Sequence, residues 1–336
     1  MNIGEIARRA GVSRSTVSYA LSGKRTVSEA TRRRIQDVIT ELDFRPNASA
    51  RALAEGRTRT LGLVVPPASR RLTAVQLDFV ASVVDAAAVH DLDVLLSPSG
   101  GDHDRSFERL LGGRRVDGVV LMEVRLGDQR VERLSKSGLP FVTIGRVRHP
   151  ESTWWVDVDF EALVSRCVHH LADLGHERVV LINRSPELVT SGYGPAMRAS
   201  AGFSAAVGAR GVEGTEVACA DDAQAGEACV EEILRIPGVT AAVTVNEAAL
   251  TGVQRGLQRA GLRMPQDFSL VGVVAQHLAE DLQPPLTAAD VPAVEMGRQA
   301  VELLQERIAV PDAMPKHRLF APPISLRAST APRPRA

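Results

Sequence analysis

The sequence predicts a small all-α head joined to an α/β core of two parallel-sheet subdomains. Three observations predict it. Within residues 1–60 the apolar residues recur only at helical spacing, in short runs opened by capping residues and closed by Gly11 or Pro46. From Thr60 onward, short apolar runs bounded by turn residues alternate with longer helical periods, which is the pattern of parallel sheets covered by helices on both faces. The charge also divides at the same place. The head holds twelve Lys/Arg against six Asp/Glu, so a chain of zero net charge consists of a basic head and an acidic body.

In the head, Asn2 is placed to cap a first helix with Glu5 reaching back, and Ile3, Ile6, Ala7 and Ala10 form its apolar face. Gly11 ends it. Ser13 caps a second helix running to about Leu21, with Val17, Ala20 and Leu21 inward and Val12 at its entrance. Ser28 caps a third, where Ile35, Val38, Ile39 and Leu42 repeat at helical spacing and Phe44 closes the small core. After Pro46, "NASARALAEG" (Asn47 to Gly56) has the length of one more short helix.

In the core, the apolar runs "TLGLVVP", "DVLLS", "VDGVVLM" and "LPFVTIG" read as strands. Between them lie helices around Leu77–Val89, Phe107 and Val131. The alternation resumes with "RVVLI", "TAAVTV" and "FSLVGVV", each after a helix such as Leu163–Leu174 or Ala225–Leu234. That length suits two subdomains, with the crossing between them expected at "GRVRHPEST", Gly145 to Thr153. Ligands of open α/β sheets bind at the carboxyl ends of strands, so two facing sheets predict a cleft. The resulting division is 1–45 for the head, 46–59 for a hinge helix and linker, 60–330 for the core and 331–336 for a disordered tail.

Composition excludes several classes. No apolar stretch approaches the roughly 20 residues that span a bilayer, and the N-terminus does not read as a signal peptide, so a cytoplasmic location and no membrane partner are expected. Cys167, Cys219 and Cys229 are odd in number and lack CxxC spacing, which suits free buried thiols rather than a disulfide framework or a zinc site. His169, His170 and His176 lie near Asp173, but there is no HExxH, Walker A or GxSxG pattern, so no enzyme, metal or cofactor is expected.

A basic head with two helices joined at Gly11 matches a helix-turn-helix, whose second helix enters the major groove. That helix exposes "RSTVSYALS", rich in short hydroxyls that can donate and accept near phosphates and base edges without bulk. Arg14, Ser15, Thr16, Ser18, Tyr19 and Ser22 are the candidate DNA contacts, with Arg14 suited to guanine. The Thr16 methyl could equally pack inward.

These residues carry a resemblance. The segment from "NIGEIARRAGVSRSTVSYALSG" through "RPNASARALAEGRTRTLGLVVP" is similar to the head and hinge of the LacI/GalR family of bacterial transcription regulators. "VDGVVL", "LPFVTIGR", "HLADLGHERVVLI", "GLQRAGLRMPQDFSLVG" and "LRAST" follow in family order. The resemblance implies a homodimer that binds a pseudo-palindromic operator, with a periplasmic-binding-protein-like core that takes a small effector. It also implies that the hinge folds on DNA and wedges a leucine into the minor groove. Leu53 stands at that position, with Asn47, Ala50 and Ala54 around it.

The core departs from the family's sugar-binding pattern. Val274 stands where many sugar-responsive members carry an aspartate, and Ala199 where an arginine is common, with Arg198 one place earlier. The effector candidates are Gln76, Leu77, Asp159, Tyr193, Arg198 and Asn246, although Asn246 could instead only cap the next helix. Trp154, Trp155 and Asp157 stand beside them, although a tryptophan beside a strand is more often packing than ligand contact. The expected function is a repressor controlled by a small molecule, such as a sugar or sugar derivative. Two alternatives stay open: a solute-binding protein of the same core fold, and a DNA-binding regulator without an effector.

Overall fold

A computed structural model of the chain describes residues 3–22, 25–42, 56–67, 71–99, 104–113 and 115–334. It separates into two compact units, one of residues 1–60 with 114–117 and one of 61–113 with 118–336. The hinge candidates Asn47, Ala50, Leu53 and Ala54 lie outside the described residues, as do Asn2 and Phe44.

The head is three helices, α1 (Ile3–Ala10), α2 (Arg14–Ser22) and α3 (Glu29–Glu41). Ile6, Ala7, Ala10, Val17 and Ile35 are buried together, with Val12, Ala20, Val38, Ile39 and Leu42 packed against them. The predicted punctuation holds locally. Gly11 adopts φ +62°, a left-handed turn that an L side chain resists. The Ser13 hydroxyl accepts from Thr16 N at 3.0 Å, and the Ser28 hydroxyl accepts from Thr31 N at 3.3 Å.

The larger unit has two lobes, each a six-stranded sheet. The first lobe holds β1 (Thr60–Val65), α4 (Ala74–Val89), β2 (Asp93–Pro98), α5 (Asp104–Gly112), β3 (Gly118–Leu121), α6 (Gln129–Ser137), β4 (Phe141–Ile144) and β5 (Trp155–Val158). The second holds α7 (Phe160–Asp173), β6 (Arg178–Asn183), α8 (Pro186–Thr190), α9 (Gly194–Arg210), β7 (Glu213–Ala218), α10 (Ala223–Leu234), β8 (Ala241–Thr244), a 3₁₀ turn (Glu247–Ala249), α11 (Leu250–Arg259), β9 (Ser269–Val274), α12 (Gln276–Asp281) and β10 (Thr287–Asp290). The chain then returns to the first lobe for α13 (Ala293–Ala309) and β11 (His317–Phe320), and to the second for β12 (Ile324–Ser325).

The sheet orders are β11-β5-β4-β3-β1-β2 and β12-β10-β9-β8-β6-β7. The recorded pairings are parallel except β10 with β12. Central strands such as β3, β4, β8 and β9 are buried along their whole length, as strands covered on both faces must be.

Two expectations are corrected. The crossing between lobes is not at Gly145–Thr153, because that loop turns back and lays β5 beside β4 in the same sheet. The chain crosses at Asp159, again after Val291 and again after Phe320, giving three strands of connection. The tail is not free from residue 331 either. Arg333 N donates to the Leu174 carbonyl at 2.9 Å, and the Ala331 carbonyl accepts from the Ser269 hydroxyl at 3.2 Å.

Candidate functional site

In the head, α2 turns Val17 fully inward and leaves its hydroxyl face outward. Ser15 is exposed, while Thr16, Ser18 and Tyr19 are half-buried. The Ser13 hydroxyl lies 2.7 Å from Ser15 Oγ and 2.8 Å from Thr16 Oγ1, so three hydroxyls form one cluster at the start of the helix. Arg14 is exposed, but its guanidinium folds back over α1. Nη2 lies 2.7 Å from where a Cβ on Gly4 would stand, so a side chain there would make the guanidinium shift. The Tyr19 ring lies under the Arg25 guanidinium, 5.3 Å from its centroid. Ser22 closes α2.

In the larger unit a cleft opens between the lobes, at the carboxyl ends of both sheets. Its walls are mostly apolar, built from Phe79, Met122, Ile144, Val158, Val245 and Val273 among others, with a few polar groups facing in. This is the composition that small-molecule sites favour.

The polar groups come from strand ends. Glu123 follows β3 and adopts φ +54°, a strained conformation for a side chain of its size. Gln76 Nε2 donates to its Oε1 at 2.7 Å, and the Gln76 Oε1 accepts from Thr73 N at 2.9 Å in a capping box that starts α4. Arg184 follows β6. Its guanidinium forms a two-point pair with Asp221, both contacts at 3.0 Å, and lies 5.5 Å over the Tyr193 ring. Burial works to discharge it, but Tyr193, Asp221 and Glu123 outweigh that and hold it cationic. Glu247 ties the lobes together: it accepts from Val75 N of the first lobe at 3.2 Å and from Ala275 N of the second at 2.6 Å.

Asp157, at the end of β5, is the most unusual of these groups. It is 3% exposed, and its Oδ2 lies 3.4 Å from Arg146 Nη1 and 3.8 Å from Arg198 Nη1. None of these three atoms completes a hydrogen bond within the protein. Burial pushes the Asp157 carboxyl up to about 6, and the two arginines only partly offset it. Arg198 also crosses the cleft, donating from Nη2 to the Arg146 carbonyl at 2.9 Å. Behind Asp157, Trp155 stacks on His317 at 4.7 Å, while Trp154 is buried in the core at 2% exposure.

The structure thus brings Gln76 and Tyr193 to the cleft, and places Arg198 on Asp157 beside it. It does not bring Leu77, which is 54% exposed and points away, because one step along α4 from Gln76 turns the side chain about a hundred degrees. Asp159 caps α7, accepting from Ala162 N at 3.3 Å, and does not line the cleft. Asn246 is fully buried and spent within the protein. Its Nδ2 donates to the Cys219 carbonyl at 2.7 Å and the Asn183 carbonyl at 3.3 Å, and its Oδ1 accepts from Ala249 N. For Asn246, capping is the role that the structure records. Glu123 and Arg184 were absent from the sequence candidates. Their one available signal is position, since each directly follows the last residues of an apolar strand run, "VVLM" and "VVLIN".

Residues 2–47 match the family described as bacterial regulatory proteins, lacI family, and residues 168–330 match the periplasmic binding protein-like domain. The chain is 30% identical to the HTH-type transcriptional regulator AglR of Rhizobium meliloti (strain 1021), over 99% of this chain and 95% of that protein. A solved transcriptional regulator CelR–cellobiose complex is 28% identical with a TM-score of 0.73, covering 98% of this chain and 99% of that one. The lac repressor dimer bound to operator and the anti-inducer ONPF has the same fold, with a TM-score of 0.86 at 22% identity over 98% of this chain and 99% of that one. With head and core matched together over nearly the full length, the chain belongs to the LacI family of bacterial regulatory proteins and is a DNA-binding transcriptional regulator.

Proposed function

We propose that this regulator is a repressor that binds a pseudo-palindromic operator as a homodimer and is switched by a small polyhydroxylated effector in the interlobe cleft. The observation that carries the effector reading is the set of buried, hydrogen-bond-deficient atoms at Asp157, Arg146 and Arg198. A hydroxyl can accept from an arginine and donate to Asp157 Oδ2 at once, completing what the protein leaves incomplete. Cellobiose in the related CelR complex supports a sugar or sugar derivative. The buried Val274 and Ala199 argue against the hexose contacts of many sugar-responsive relatives. Gln76, Glu123, Tyr193 and Arg184 would set orientation. An effector acts only by binding one lobe arrangement better than another, and the cross-cleft bonds of Glu247 and Arg198 are the contacts such a ligand would bias.

On this reading α2 reads the major groove through Arg14, Ser15, Thr16, Ser18, Tyr19 and Ser22, and Leu53 wedges the minor groove flanked by Asn47, Ala50 and Ala54. The protein acts in the cytoplasm without catalysis or cofactor. The test is selection of bound duplexes from a random library by the full-length protein at fixed salt, followed by thermal shift with a panel of mono- and disaccharides. A palindromic motif whose affinity drops on Leu53→Ala, together with a sugar that shifts both stability and operator affinity, is the expected outcome. No enriched motif, with or without cell metabolites, would sink it. A motif without any ligand response would favour the regulator that needs no effector.

A further inference from the structure

One end of the cleft is lined by Gly145, Asp157 and Pro195. Arg146 directly follows Gly145 beyond β4, and Arg198 stands one turn along α9 from Pro195. Both guanidinium groups are mostly buried, at 16% and 11% side-chain exposure. That of Arg198 is held in place, since its Nη2 donates to the Arg146 carbonyl at 2.9 Å and the Val147 carbonyl at 3.4 Å. It also fills the space that a side chain at position 194 would take, with Nη1 2.6 Å from where a Cβ on Gly194 would stand. The Arg146 guanidinium lies over the Trp155 ring, 5.3 Å from its centroid.

Among the described residues, four buried polar atoms of this cluster lack a hydrogen-bond partner: Arg146 Nη1, Arg198 Nη1, Trp155 Nε1 and Asp157 Oδ2. Three are donors and one is an acceptor. The charges are unbalanced in the same sense. Two guanidinium groups face one buried carboxylate, and the next acids along the chain, Asp159 and Glu161, stand nearer the solvent, which screens them. Arg198 is held below its ordinary pKa, first by burial and then, against the pull of Asp157, by the charge of Arg146. A neutral hydroxyl completes hydrogen bonds here but leaves that excess charge in place. A carboxylate, with about four acceptor sites on two oxygens, satisfies the donors and removes the charge as well.

On the effector reading given above, we infer that the effector is a sugar acid, a polyol whose carboxylate seats between Arg146 and Arg198 while an adjacent hydroxyl donates to Asp157 Oδ2. The single excess charge matches a monoanion, whereas a phosphate dianion over-neutralises the pair. Arg146 belongs to the first lobe and Arg198 to the second, so the charged end of this ligand favours the arrangement that brings the two arginines together.

The test titrates the full-length protein at constant ionic strength with matched pairs: glucuronate against glucose, galacturonate against galactose and gluconate against glucitol, with glucose 6-phosphate as the dianion. Thermal shift reads binding anywhere. Trp155 is one of two tryptophans in the chain, so intrinsic fluorescence reads this cluster. The acid of at least one pair should bind about tenfold more tightly than its neutral partner and shift the fluorescence. Arg146→Met and Arg198→Met should each erase that preference, and Arg146→Lys should keep part of it. The matched pairs are compared on the parent protein, so a variant that fails to fold leaves that comparison intact. Neutral sugars that bind as tightly as their acids, a preference for glucose 6-phosphate, or an acid preference that survives both methionine variants would each overturn the sugar-acid assignment and leave a polyol effector standing. No binding by any of the probes would overturn the assignment together with the effector reading on which it rests.

Discussion

Replacing Asp157 by asparagine should stabilise the protein at neutral pH. The carboxyl stands at about 6 in the fold against an ordinary value of 3.8, because burial penalises its charge more than Arg146 and Arg198 reward it. At about 1.4 kcal/mol per pH unit, the ionised side chain is about 3 kcal/mol less favourable in the fold than in the unfolded chain. The sign follows from the raised value: the unfolded chain releases this proton first, so the stability present below about pH 4 is lost as pH rises through about 6. Asparagine has nearly the same shape and cannot ionise. Asp157→Asn should therefore match the parent near pH 4 and exceed it by about 3 kcal/mol at pH 8, read from urea unfolding at a series of pH values. The difference between the two proteins cancels every other titrating group. A variant that matches the parent near pH 4 but falls below it at pH 8 would refute the reasoning, since the arginines would then gain more from the charge than burial costs it. A carboxylate kept at such a cost is what a binding site requires, so the stabilised variant should also lose its ligand response.

Arg184→Met should cost about 2 kcal/mol, because it leaves the half-buried Asp221 without its two-point partner, and adding Asp221→Leu should recover most of that; chemical denaturation of the pair and both singles measures the coupling. Gly252→Ala should separate α10 from α11, since a Cβ there overlaps the Ala223 carbonyl, with a loss of about 1–3 kcal/mol in urea unfolding. His176 is buried between the Thr240 hydroxyl and the Ala331 carbonyl, and burial lowers its pKa below 6.5. Stability from keeping it neutral is present above 6.5 and lost as pH falls below that through the lowered folded value, so His176→Asn should flatten the acid-side decline of thermal stability below about pH 6.5.

The head was legible in the sequence because its determinants are local. Gly11, Ser13 and Ser28 act on backbone groups within a few residues, and the inward positions Ile6, Val17 and Ile35 repeat at the helical period. The alternation of strand and helix in the core was legible for the same reason. Gln76 and Tyr193 reach the cleft because each sits at an element terminus facing the strand ends. Asp159 and Asn246 have the same polar chemistry, yet the fold uses both as caps, which is a local alternative that sequence cannot rank against ligand contact.

The sequence alone determined the two-part architecture, the family and the helix-turn-helix, since periodicity, caps and motifs are properties of neighbouring residues. The tertiary structure alone decided that Trp155–Val158 joins the first sheet, so that the lobes are crossed three times. It alone assembled Arg146, Asp157 and Arg198. The reason is physical: these contacts join residues from different strands and helices, and their energies come from burial and charge proximity, which exist only once the sheets have closed on one another.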